Sequence, residues 1–355
     1  MKNCTHRRVG SLVLGWLAAL LPASGLLAAP LDALLEATPQ NRHGDAMIEL
    51  GADQMNHRLD ILKLRNSDPS LPDNAGDYSG AHIRAGVNIH QSFWLEGSLM
   101  QRNISYSSYR PQIDSWQLAG QWQLIQGSRG ESDIGLRLSA WGNRSGGITR
   151  NQTESVTLSN QSVQIQSLAL SKVEDLQTQI DLVSTWRWPD TTASVFAGAG
   201  AGRVKIGTVS VQSSLGSFTY GDNFASLVQA LMPSYKQQLD ALNYRTRFAH
   251  AGFNLSHQLG NWRLRGGYDF FVIQRSAVDD VIASLPAPTN QAYRSNHTLV
   301  GEVAYSLRPG LSVFTRGQAM SNQFLADVPM LYNSITAKRF NQKYGLLSVG
   351  LIATF

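Results

Sequence analysis

The strongest constraint on this chain is a repeated alternation of apolar and polar residues in segments of about ten residues. Side chains on a β-strand alternate between two faces, so this pattern predicts strands with one apolar face. In the clearest segment, Trp116, Leu118, Trp122 and Leu124 alternate with serine, alanine and glutamine residues. We predict twelve such strands, at residues 45–56, 80–90, 93–106, 112–126, 132–144, 176–188, 192–206, 244–258, 262–275, 294–308, 311–320 and 343–355.

The links between these strands alternate between two lengths. Links such as "GSRGE", "GN" and "RPG" have two to five residues, whereas most of the others are long, with 37 residues at 207–243. A soluble sandwich also has alternating strands, but short turns on one side and long loops on the other are typical of membrane barrels. We therefore predict an all-β fold, a transmembrane antiparallel up-and-down β-barrel with long extracellular loops and short periplasmic turns.

Tight turns provide a test of this assignment. A shift of one residue would move every side chain to the other face, so the apolar faces must agree across each turn. The faces agree at four turns, which pair Trp122 with Leu136, Trp186 with Val195, Phe253 with Tyr268, Leu307 with Leu311, and Glu302 with Arg316. The last pair predicts a cross-strand ion pair inside the barrel, between two residues that point away from the apolar face.

The N-terminal region has the pattern of a secretory signal peptide. Three basic residues precede an apolar stretch at 9–21, and small residues around Ala28 provide a cleavage site. A membrane anchor would need a longer apolar stretch. The predicted organisation is a signal peptide at 1–28, a periplasmic segment at 29–44 and an outer-membrane barrel at 45–355.

The composition of the mature chain excludes several classes of partner. The single cysteine, Cys4, lies in the signal peptide, so neither a disulfide nor a thiolate metal site is expected. Cleavage removes three of the 30 basic residues and leaves 27 against 25 acidic residues. This near-balance gives no reason to expect a nucleic-acid partner. Because metal-ligand clusters and phosphate-binding loops are also missing from the sequence, we predict no cofactor and no metal.

The chain ends on "SVGLIATF", an apolar strand without a polar tail. Over its mature length the sequence resembles bacterial outer-membrane β-barrel proteins, and its end resembles the family's β-signal: Ser348, Gly350, Ala353 and Phe355. The resemblance implies integral insertion in the outer membrane. The implied partners are outer-membrane lipid, lipopolysaccharide and the barrel assembly machinery, while the oligomeric state is left open.

Charged residues on the face opposite the apolar one define the predicted lumen. They are Glu49, Asp53, Glu96, Asp133, Asp181, Asp269 and Glu302, together with Arg84, Arg102, Arg137, Arg187, Arg263, Arg265 and Arg316. Opposite charges in equal number favour mutual pairing across a narrow lumen. Twelve strands also fall between small filled barrels and wide pores. We therefore predict a narrow small-solute channel or a non-enzymatic surface protein.

Three segments outside the predicted strands have patterns of their own. Residues 31–38, "LDALLEAT", form a helix-like segment that lies in the periplasm or closes the inner mouth. Residues 147–172 alternate around "SNQ" and predict a hairpin that rises beyond the membrane. In 207–243, apolar residues near helical spacing, interrupted by Pro233, predict a broken amphipathic helix over or inside the outer mouth.

An enzymatic alternative is an outer-membrane hydrolase acting on lipid, of the phospholipase or lipid A deacylase type. "NIHQS" resembles the His-Gln-Ser of outer-membrane phospholipases, but His90 and Ser92 fall at a predicted periplasmic turn. Ser295 and His297 share the outward face near the extracellular end of a strand, which is a better location for acyl hydrolysis. A catalytic site would still need a third, orienting group from another strand. We favour solvated rim residues, and hence a non-enzymatic protein.

Overall fold

The computed structural model describes most of the chain. The described residues are 33–37, 46–55, 77–90, 92–105, 112–127, 131–158, 161–220, 237, 240–285, 290–322, 326–333, 337 and 344–355. The predicted signal peptide and most of the predicted helix in 207–243 therefore lie outside the described residues. Within them, no helix has the length and hydropathy needed to cross a membrane.

Within the described residues, thirteen antiparallel strands make up the sheet. Their bounds are β1 Ala46–Met55, β2 Asp77–His90, β3 Phe93–Ser105, β4 Gln112–Ile125, β5 Ser132–Leu158, β6 Gln161–Arg187, β7 Thr191–Ser213, β8 Gly216–Tyr220, β9 Tyr244–Leu259, β10 Trp262–Arg275, β11 Ser295–Arg308, β12 Leu311–Met320 and β13 Tyr344–Thr354. A short helix α1, Val278–Ala283, follows β10, and a 3-10 turn spans Pro329–Leu331.

Twelve of these strands close into a barrel. Each pairs with its neighbours in chain order, β1 pairs with the last strand β13, and β7 pairs with β9. The short strand β8 pairs only with β7, as a hairpin at the extracellular rim. The predicted all-β antiparallel barrel of twelve strands is therefore confirmed.

The longest strands, β5 and β6, contain 27 residues each and pair as far as Leu158 with Gln161. The predicted hairpin at 147–172 is thus continuous with the barrel wall. The sequence prediction ended one strand at residue 144 and began the next at 176, because the apolar alternation weakens where a strand leaves the membrane.

The observed registers confirm three of the pairs predicted across tight turns and correct two. Trp122 pairs with Leu136, Phe253 with Tyr268, and Glu302 with Arg316. Trp186 pairs with Ala193 instead of Val195, because the turn centres on Pro189-Asp190, and a shift of two residues preserves the face. Leu311 pairs with Arg308 instead of Leu307, because a β-bulge lies between Ser306 and Arg308.

The outer surface of the barrel is apolar at every second residue. Exposed apolar residues on the barrel strands include Leu50, Ile83, Leu118, Leu138, Leu182, Phe253, Leu264, Leu299, Val303 and Leu351. Next to the short turns, Phe93 packs on Trp122 and Trp262 packs on Tyr305, with ring centroids 4.5 and 4.7 Å apart. Aromatic residues at this height are typical of the girdle at a membrane interface.

Candidate functional site

A peptide segment fills the periplasmic end of the lumen. Residues 33–37 are buried and belong to none of the strands of the wall. The side-chain amides of Gln121 and Asn254 donate to backbone carbonyls of this segment, at 2.7 Å for Gln121. In return, the Ala37 N–H donates to the Thr185 hydroxyl at 2.7 Å. Three parts of the wall thus hold one short segment, which we call the inner plug.

The wall is shaped to admit the inner plug. Its apolar side chains pack against Val183, Phe196 and Val300. A Cβ on Gly135 would lie 2.6 Å from the Ala37 carbonyl oxygen, and one on Gly267 would overlap the carbonyl of Ala33. Of the two positions considered for residues 31–38, the described part occupies the inner mouth. The wall leaves space there because it lacks two side chains.

Beside the inner plug lies a layer of ion pairs centred on Glu302. Its carboxylate accepts from Arg265 (2.6 Å) and Arg316 (2.7 Å), with Arg263 at 3.5 Å. Arg316 also contacts Glu49 at 3.0 Å, so this guanidinium bridges two carboxylates. The predicted Glu302–Arg316 ion pair is confirmed, although each partner has at least one further partner that the turn register did not reveal.

A histidine continues this network. His82 lies between two carboxylates, with Nδ1 at 2.6 Å from Asp53 and Nε2 at 3.2 Å from Glu49. The Ser348 hydroxyl donates to the other oxygen of Asp53. The layer is therefore continuous from β2 through β1 to β13, which joins the two ends of the barrel.

A second histidine has the same arrangement at another point of the lumen. His250 contacts Asp181 at 2.7 Å and Asp269 at 2.9 Å through its two ring nitrogens. Sequence reasoning assigned neither His82 nor His250 to the lumen. The alternation of faces along each strand, which placed the carboxylates there, could also have placed these two histidines. The lumen therefore contains two histidines, each between two carboxylates, beyond the predicted set.

Two further carboxylates pair with arginines from neighbouring strands. Glu96 accepts from Arg84 at 2.9 Å and from Arg137. Asp133 accepts from Arg187 at 2.8 Å. Every predicted lumen residue except Arg102 therefore takes part in one of the ion pairs described here, either in these two groups or around Glu302 and the two histidines. Arg102 is buried nearer the extracellular end of the barrel, where its Nε lies 2.9 Å from the Met100 sulfur.

The extracellular half of the lumen contains the largest apolar cluster of the described residues. Inward-facing Trp141, Phe248 and Phe271 form an aromatic row, with centroid separations of 5.6 and 5.0 Å. A loop segment, 326–332, inserts among these side chains and is buried along its whole length. We call it the outer plug. It contributes Ala326, Val328, Met330, Leu331 and Tyr332 to the apolar cluster.

Polar groups of the wall satisfy the backbone of the outer plug. The Tyr244 hydroxyl lies 2.6 Å from the Pro329 carbonyl and 2.9 Å from that of Tyr332. The Met330 N–H donates to Asp175 at 3.0 Å. A buried backbone needs such partners, so the wall is complementary to this segment as well as to the inner plug.

Asp327 is a titratable group on the outer plug itself. Burial raises the pKa of its carboxyl above the ordinary aspartate value, with Asp269 adding to the shift and Arg102 opposing it. Its backbone carbonyl accepts from the Asn143 side chain at 2.9 Å. The inserted state of the outer plug therefore favours the protonated form of Asp327.

The structure places the two pairs of enzymatic candidates at opposite ends of the barrel. His297 shares a hydrogen bond with the Tyr268 hydroxyl (2.7 Å), and the Ser295 backbone carbonyl accepts from Asn322 (2.6 Å). His90 and Ser92 do contact each other, with 3.2 Å between Nδ1 and Oγ, but at an exposed turn of the inner mouth. Among the residues that the structure describes, no cluster of acidic, histidine and cysteine side chains can hold a metal ion.

No family model and no curated protein matches the sequence. Among solved structures, the translocator domain of the autotransporter NalP from Neisseria meningitidis is 12% identical, with coverage of 89% of this chain and 90% of that one and a TM-score of 0.49. A Pseudomonas aeruginosa FadL homologue is 10% identical over 95% and 96%, with a TM-score of 0.46. The CymD monoaromatic hydrocarbon channel is 11% identical over 94% of each chain, with a TM-score of 0.45.

The closed barrel, its apolar outer belt and its charged interior define the class of protein. It is an integral protein of the bacterial outer membrane. Two segments outside its wall, the inner and outer plugs, lie in the lumen at different heights.

Proposed function

We propose that the protein is a gated outer-membrane channel for small solutes, closed at two heights in the state described. The observation that carries this proposal is the inner plug, a segment outside the barrel wall that occupies the lumen. A structural barrel can fill its interior with side chains of the wall, as small eight-stranded barrels do. Here two inserted segments fill space that the wall leaves open.

The contacts of the plugs suit reversible opening. The inner plug shares hydrogen bonds with the side chains of Gln121, Thr185 and Asn254, each with a net value of about 0.5–1.5 kcal/mol. It can leave without breaking any pairing between strands. Segments with few fixed contacts open at a much lower free energy than the global fold. The wall would therefore remain intact while the lumen opens.

Planar-bilayer conductance of the refolded full chain tests the proposal. One variant replaces 33–37 with glycine and serine, a second replaces 326–332 in the same way, and a third combines both changes. Because the two plugs close the lumen in series, we expect each single variant to conduct weakly and the combined variant to conduct at a much higher level.

A glycine-serine replacement at Ser214-Leu215, the exposed tip of the β7–β8 hairpin, provides the matched control and should leave conductance unchanged. Heat-modifiable migration establishes that each variant is folded. A folded combined variant without conductance would contradict the channel and leave a closed structural barrel.

We also propose that the terminal segment Ser348, Gly350, Ala353 and Phe355 is the β-signal for assembly. Its support is that β13 closes the barrel against β1, with the Phe355 N–H donating to the Ala46 carbonyl at 2.9 Å. Deletion of Phe355 should lower the heat-modifiable fraction in the outer membrane and leave export to the periplasm unchanged. A normal folded yield would contradict this assignment.

A further inference from the structure

Arg275 is a buried cation with part of its guanidinium unused. It is the last residue of β10, and only 2% of its surface is exposed. Its Nη1 donates to the Tyr293 carbonyl at 2.9 Å and lies 3.3 Å from Asp279. Its Nε and Nη2 are also buried and have no hydrogen-bond partner within the part of the chain that the structure describes. A buried donor left without a partner is costly, more so when it is charged.

The two unpartnered nitrogens lie on one edge of the guanidinium. Nε–H and one N–H of Nη2 point in the same direction, which is the geometry that binds both oxygens of a carboxylate at once. The free groups of Arg275 are therefore a complete carboxylate-binding edge.

The local charge also favours an anion. Asp279 is shared by Arg275 and by Arg294, whose Nε lies 3.1 Å from the same carboxylate. Among the described contacts, two guanidinium groups thus share one carboxylate. A bound monocarboxylate would give Arg275 a second carboxylate partner, and a buried guanidinium gains more from such a partner than an exposed one does.

The rest of the surroundings is apolar. Phe271 and Ile273 precede Arg275 on the inward face of β10, and Ile282 of α1 belongs to the same buried cluster. The Tyr332 ring of the outer plug covers one face of the guanidinium, with Cζ 3.9 Å from the ring centroid. An occupant would therefore combine one carboxylate with an apolar, aromatic-compatible body.

We propose that Arg275 anchors a binding site for small monocarboxylates with an apolar body, in the extracellular half of the lumen. This inference rests on the proposed function, since movement of the outer plug gives the solute access. The carboxylate takes the free Nε–Nη2 edge, and the apolar body takes the space left by the plug side chains.

Isothermal titration calorimetry on the refolded full chain in zwitterionic detergent tests the site. The probes are 3-phenylpropanoate and its uncharged counterpart 3-phenylpropanamide, each corrected with a micelle blank. They are titrated into the wild type and into the variant with 326–332 replaced. In the variant, the acid should bind about 10- to 100-fold more tightly than the amide, as expected for hydrogen bonds to a charged group. The wild type should show the same preference with weaker affinity, because the plug competes.

Arg275→Gln in the replaced background should abolish the preference for the acid. Arg294→Gln is the matched control, because it removes one charge from the same cluster and retains the Nε–Nη2 edge, so the preference should be reduced but not abolished. If Arg275→Gln does not fold, Arg275→Lys keeps the charge but loses the paired edge, and the preference should fall at least several-fold.

Equal affinity for acid and amide in the replaced variant would overturn the site, as would a preference that survives Arg275→Gln. A carboxylate of the chain itself on the Nε–Nη2 edge would also give equal affinities for the acid and the amide, and would likewise overturn the site. A conducting combined-plug variant without acid preference would leave the channel in place and remove only the site. Acid preference in a variant that does not conduct would support the site and contradict the channel.

Discussion

Removal of the Glu302 carboxylate should destabilise the barrel more than any other single change in its charged layer. Glu302 is 2% exposed, and its carboxylate forms ion pairs with three guanidinium groups, those of Arg263, Arg265 and Arg316. Glu302→Gln keeps the size of the side chain but leaves these cations close together and poorly solvated. Loss of one partner from a buried ion pair costs about 3–5 kcal/mol. We expect a loss of unfolding free energy in this range.

Arg316→Gln should cost less, about 1–3 kcal/mol. After this change Glu302 keeps Arg265, and Glu49 keeps His82 at 3.2 Å. The double variant should cost less than the sum of the two single changes, because the second substitution removes a charge that the first had left unpaired. A coupling of about 0.5–3 kcal/mol is expected for residues in one network.

Urea unfolding in lipid vesicles, followed by tryptophan fluorescence, measures these values as shifts of the midpoint at constant slope. Glu174→Gln on the exposed part of β6 is the control and should have little effect. A cost of less than about 1 kcal/mol for Glu302→Gln, or strict additivity with Arg316→Gln, would refute the argument that the layer shares its charges.

Three further predictions concern gating and catalysis. Protonation of Asp327 favours the inserted state of the outer plug. Conductance of the variant without the inner plug should therefore fall as the pH is lowered from 7 towards 4, and Asp327→Asn should make conductance less dependent on pH. An equally steep pH dependence in the Asp327→Asn variant would count against this prediction. Gly267→Val should displace the Ala33 carbonyl and therefore raise the conductance of the variant in which the outer plug is replaced. Unaltered conductance would contradict the close contact between Gly267 and the Ala33 carbonyl. Neither Ser295→Ala nor His297→Ala should change any phospholipid release in detergent, and a loss with either would revive the hydrolase.

The strands and their faces could be predicted from the sequence because both depend on local pattern. Alternation with a period of two places each side chain relative to its neighbours, and a tight turn carries that assignment to the next strand. Glu302 and Arg316 therefore met as predicted. Where the turn geometry itself was misjudged, as at Leu307, a bulge changed the pairing without exchanging the faces.

The closure of the lumen could not be predicted in this way. Neither plug repeats with a regular period, and each is held by residues far away in the chain: Asn254 bonds a carbonyl 219 positions earlier, and Met330 bonds Asp175 across 155 positions. The free edge of Arg275 likewise depends on where Tyr293 and Asp279 lie in space. The sequence alone determined a twelve-stranded barrel with a charged interior. Only the tertiary structure decided what fills it, because contacts inside a lumen join residues that no local pattern connects.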